Sequence, residues 1–151
     1  MKTIYFYFKI ITVITVILSF GCNEKNIITS GNTSIEYLSF QSNGCISTNS
    51  LAKIDDEAIL YWYYLDGNLE IDVSFSTHCS ASMKDSVLIS NNSINIFLAD
   101  TSTIGAKCIC PHKETFNFRV ASNGELEIIF SYMPYSKTEY YVLADSTINL
   151  E

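Results

Sequence analysis

The chain has only two prolines and six glycines in 151 residues, which excludes collagen-like and proline-rich low-complexity architectures. Basic residues are also few. Nine Lys and Arg stand against sixteen Asp and Glu, for a formal charge of −7. No basic stripe is available to displace counterions from phosphates, so nucleic acid is not expected as a partner. There is no G-x-S-x-G, no H-E-x-x-H and no glycine-rich phosphate loop. The expectation is a non-enzymatic protein with no cofactor. No stretch carries a helical stripe, and no repeat of about 20–50 residues is visible. What remains is 48% hydrophobic and 17% charged, a composition that folds rather than stays disordered, at a length that suits one domain.

The N-terminus reads as an export signal. Lys2 and Lys9 form a positive region, residues 10–20 carry no charge, and Gly21-Cys22 follows. The alternative, an uncleaved anchor over residues 3–21, would have to tolerate Lys9 near the membrane. Leu18-Ser19-Phe20-Gly21-Cys22 resembles the relaxed lipobox of Bacteroidota lipoproteins, with Ser19 where the stricter pattern has Leu. That resemblance implies cleavage before Cys22, acylation of its thiol and new amine, and an outer-membrane lipoprotein facing the periplasm or the cell surface. Several acyl chains on one residue anchor stably where a single chain does not. Asn23 follows, and the resemblance offers no inner-membrane retention signal there. Loss of Lys2 and Lys9 with the leader leaves the mature chain two charges more acidic.

Three segments follow: a signal peptide at 1–21, a lipidated Cys22 with a polar tether to residue 34, and one domain at 35–151. The tether would span roughly 20 Å. Beyond it the apolar period is two. Leu69, Ile71, Val73 and Phe75 alternate with Glu70, Asp72, Ser74 and Ser76, a half-buried strand. Asp66-Gly67-Asn68 joins it to residues 58–65 as a hairpin. Asn91-Asn92 predicts a second hairpin between 87–90 and 93–99. Asn123-Gly124 predicts a third between Phe116, Phe118, Val120 and Leu126, Ile128, Phe130. Residues 35–40, 140–143 and 147–150 complete the set. Seven or eight strands with short turns predict an all-β antiparallel sandwich, immunoglobulin-like or jelly-roll-like, with a small barrel as the rival.

With Cys22 assigned to lipid, Cys45, Cys79, Cys108 and Cys110 remain. An even count in an oxidising compartment predicts two disulfides. Cys108 and Cys110 would close a strained ring if joined to each other, and both would share the inward face if the strand through Phe116 ran back unbroken. One bridge from each to Cys45 and Cys79 is therefore expected, partners open. The alternative is a metal. His78-Cys79 and Cys108-Ile109-Cys110-Pro111-His112 place both histidines beside cysteines, a ligand set suited to Zn²⁺ or Cu(I). Against it, C-x-C is not a zinc-knuckle spacing, Pro111 interrupts the alternation before His112, and exported thiols oxidise.

Tyr61-Trp62-Tyr63-Tyr64 puts rings on both faces of a strand. If one face is core, the other presents a platform for an envelope glycan or protein; the alternative is a strand covered on both faces. Tyr132, Tyr135, Tyr140 and Tyr141 pose the same question. Asp55-Asp56-Glu57 offers hard oxygens for Ca²⁺ but lacks a spaced Asp/Asn-Gly frame, and reads as a solvated turn. Asp85-Ser86-Val87 and Asp145-Ser146-Thr147 resemble the Bacteroidota O-glycosylation motif, which implies glycans on Ser86 and Ser146. Three functions stay open: a lipid-tethered binding or structural module, an envelope metal-binding protein, and an inhibitor of an exported hydrolase whose loop at residues 100–107 enters an enzyme cleft.

Overall fold

A computed structural model describes residues 34–46, 57–105, 107–121 and 123–151. The signal peptide, Cys22, the tether up to residue 33, Asp55 and Asp56 lie outside the described residues.

Among the described residues, eight strands form two stacked four-stranded sheets, the sandwich that the alternation predicts. They are β1 (Ile35–Cys45), β2 (Ile59–Leu65), β3 (Asn68–His78), β4 (Met83–Ser90), β5 (Ser93–Asp100), β6 (Ile109–Val120), β7 (Gly124–Met133) and β8 (Tyr141–Leu150). One sheet has the order β1-β6-β3-β2 and the other β4-β5-β7-β8. Inward residues from both layers make one core: Leu69, Ile71, Val73, Phe116 and Phe118 from the first, Ile94, Ile96, Leu98, Ile128 and Phe130 from the second. This is how two half-buried sheets exclude water from their facing sides.

Asp66 (φ 50°) and Gly67 (φ 77°) form the β2–β3 hairpin, both in the positive-φ region that a two-residue turn of this kind demands. Gly67 also lies close under β6, where an added Cβ would meet the Val120 carbonyl at 3.3 Å. Asn91 (φ 50°) starts the β4–β5 turn.

The third expected hairpin is absent. β6 and β7 belong to different sheets, so the Asn123-Gly124 turn carries the chain from one layer to the other. Both strands point their apolar residues at the same core, but from opposite sides, and alternation alone does not distinguish the two arrangements. As a result β7 pairs with β5, and that pair is parallel, so the second sheet is mixed. Residues 140–143 and 147–150 lie on one strand, β8, whose pairing with β7 shifts between Phe130 and Ser131.

At the edges the layers meet. The Tyr37 hydroxyl of β1 donates to the Asp85 carboxylate of β4. Burial and the adjacent Asp85 charge push that phenol well above its ordinary range. At the other edge the Ala58 N–H donates to the Leu143 carbonyl of β8 at 2.9 Å.

Candidate functional site

Both expected bridges form, and the open pairing resolves as Cys45–Cys110 and Cys79–Cys108. Cys110 is buried on the inward face of β6, but Cys108 is exposed and precedes the strand, so the two do not share a face. Alternation continues through Pro111, because His112 is buried. A proline is tolerated in this central strand where the β1 partner is irregular: its register shifts between Ser42 and Cys45, with Gly44 at φ 63°.

The residues named for a metal divide into separate groups. The sulfurs of Cys45, Cys79 and Cys110 lie within 4.8 Å of one another, and this is the only such cluster among the described residues. It includes neither histidine. His112 Nδ1 lies 3.4 Å from Glu114 Oε1, which also accepts from Ser42 at 3.1 Å. His78 Nδ1 is 3.1 Å from Ser80 Oγ, and its Nε2 contacts the Asp100 carboxylate.

The inward run of β6 thus reads Cys110, His112, Glu114, Phe116, and Glu114 is fully buried. Among the described residues, His112 Nε2 and Glu114 Oε2 have no hydrogen-bond partner. The Tyr132 hydroxyl shares a 2.7 Å bond with Thr77 nearby. Burial pushes its phenol up to about 12; the Thr77 bond works against this, and the charges of Asp100 and Glu114 add to it. Sequence patterning does not bring Glu114, Asp100 and Tyr132 together as a buried polar group. The signal was present, since assigning Thr115, Asn117 and Arg119 outward puts Glu114 inward by parity.

Ser80, His78 and Asp100 form a chain with the outline of a hydrolytic triad, beside a cleft of about 620 Å³ lined by Ser82, Thr101 and Ser102. The same chain braces the β5–β6 loop: Ser80 donates its hydroxyl to the Ile104 carbonyl at 3.1 Å, and Ser102 Oγ lies 3.3 Å from His78 Nε2. Asp100 is tied into the same brace. Burial would raise its carboxyl, but the Ser102 side chain, the backbone N–H groups of Ser102 and Ser82 and the charge of His78 hold it below the usual range.

The brace fixes the β5–β6 loop. Tyr135 donates to the Thr103 carbonyl at 3.3 Å, and the ring of Tyr135 lies so close to Gly105 that an added Cβ would meet it at 3.0 Å. The Cys79–Cys108 bridge anchors the loop's far end. Ile104 stands at its tip, 75% exposed.

A second surface lies on the outer face of the first sheet. Tyr61 and Tyr63 are each 61% exposed there, opposite Asp72 and Glu70 of β3. Trp62 and Tyr64 take the other side of β2, opposite Ile71 and Leu69; Trp62 remains 47% exposed because β2 is the last strand of its sheet. Leu38, Tyr63 and Leu65 flank a groove of about 330 Å³ over Asn68, Glu70 and Asn117. Beside it Asp72 holds Lys113 at 2.6 Å and accepts from Thr115 at 2.6 Å. That carboxylate raises the lysine above its ordinary value.

Ser86 is exposed on β4. Ser146 is half-buried and shares the face of Ile148 and Leu150. Glu57 is exposed. No protein-family profile matches the chain, and no curated protein or solved structure matches it either.

Proposed function

We propose that the protein is a lipid-anchored lipoprotein of the outer membrane and a non-enzymatic binding module, tethered through Cys22 and holding a neutral glycan of the envelope. Two disulfides support export to an oxidising compartment. The observation that carries the binding reading is the groove beside Tyr63: exposed aromatic faces stand next to carboxylate and amide groups. Aromatic rings pack on the apolar C–H faces of sugars, while Glu70 and Asn117 accept or donate to hydroxyls. The test is calorimetry against oligosaccharides released from envelope polysaccharide. Tyr63→Ala should weaken binding about ten-fold. Unchanged affinity in both Tyr63→Ala and Tyr61→Ala sinks the assignment of this face.

A second reading is favoured by the braced loop at residues 101–105. An apolar Ile104 held outward on a pinned backbone suits insertion into the cleft of an exported hydrolase, since little order is lost on binding. Undiminished activity of a panel of exported proteases at saturating protein would dismiss it.

A further inference from the structure

We propose that β2 is a self-association edge, pairing antiparallel with β2 of a second copy about a two-fold axis at Trp62. Among the described residues, the sandwich has four terminal strands: β1, β2, β4 and β8. Three carry features that discourage edge pairing. β1 contains Glu36 and two register shifts, β4 contains Lys84 and Asp85, and β8 contains Asp145 and faces a shift in β7. β2 has none. Its sequence, Ile-Leu-Tyr-Trp-Tyr-Tyr-Leu, is uncharged, lacks Gly and Pro, and pairs with β3 without a shift. A flat apolar edge of this kind is a template for another strand.

The strand is also self-complementary. Placing Trp62 opposite its own copy sets Tyr61 against Tyr63, Leu60 against Tyr64 and Ile59 against Leu65. Aromatic and aliphatic residues meet at every step, and inward residues meet inward ones, as a continuous sheet requires. The symmetry is that of a closed two-fold dimer rather than an open fibre. Glu70 and Asp72 sit on β3, so these acids of the two copies stand three strand spacings apart, about 14 Å, beyond the screening length of about 8 Å in physiological salt, while Glu57 and Asp66 flank the paired residues at the two ends of the strand. Ala58 and Leu143 bond at one end of β2, but no described strand pairs along its outer edge. The dimer does not rest on the glycan reading. It would join two copies of Tyr61 and Tyr63 into one aromatic strip and so lengthen the same face.

The experiment uses the full chain, exported and held in native membranes. In Trp62→Cys, position 62 of each copy faces its counterpart at about 5 Å between Cβ atoms. A short bis-maleimide should then link the copies about ten-fold or more faster than in Leu88→Cys, an exposed position on β4. Peptide mapping should find the link through position 62 of both chains. In detergent, the parent should have the mass of two copies and Trp62→Lys that of one, with both native disulfides retained. Equal linking in the two cysteine variants overturns the proposal, as does a monomeric parent. Loss of glycan binding with linking intact would remove only the glycan reading.

Discussion

Asp100 carries more structure than its neighbours on β5. Its carboxylate accepts from the Ser82 and Ser102 backbones and contacts His78, and through them it holds the β5–β6 loop. Because its folded value lies below that of the unfolded chain, the unfolded state takes up the proton first as pH falls. Its contribution is therefore complete above about pH 4 and is lost as pH drops through the folded value. Asp100→Asn should cost about 1–3 kcal/mol at neutral pH. It should also flatten the dependence of the urea midpoint on pH below pH 4 relative to the parent, and parallel curves would contradict this role. Sequence patterning did not reveal the residue, since Asp100 follows a run of apolar residues at a strand end, where parity gives way to the loop. Ser102 lies two residues on, but His78 and Ser82 reach it from the end of β3 and the β3–β4 connection, and that convergence exists only in the folded chain.

At the scale of elements, what was legible depended on whether a feature is local. The Asp66-Gly67 turn between β2 and β3 and the Asn91-Asn92 turn between β4 and β5 are set by two residues each, and both appear. Asn123-Gly124 is equally local as a turn, but whether it folds β6 onto β7 or sends it across the core depends on partners far along the chain. The parallel β5–β7 pair follows from that crossing and has no signature of its own. The bridges show the same division: the count of cysteines predicts two, and only the fold selects their partners. Each bridge should stabilise by about 2–4 kcal/mol. Cys45–Cys110 spans 65 residues and Cys79–Cys108 spans 29. The longer loop should be worth roughly 0.7 kcal/mol more on the chain-entropy argument. Urea unfolding of Cys45→Ser/Cys110→Ser and Cys79→Ser/Cys108→Ser would measure the order; a larger loss in the second pair would contradict it.

For the whole molecule, two bridges and the buried polar group of His112 and Glu114 gather at one end of the sandwich, where β1, β3 and β6 meet. The exposed Tyr61 and Tyr63 of β2 and the braced loop with Ile104 are the surfaces on which the proposed binding readings rest. Export, anchoring and oxidation belong together in this account. They are read most directly by the intact mass of the full chain, expressed in a bacterial envelope and recorded with and without reductant under native conditions. The account predicts a chain that begins at an acylated Cys22, gains about four mass units on reduction and releases no metal. An unprocessed N-terminus, or free thiols holding an ion, would contradict it.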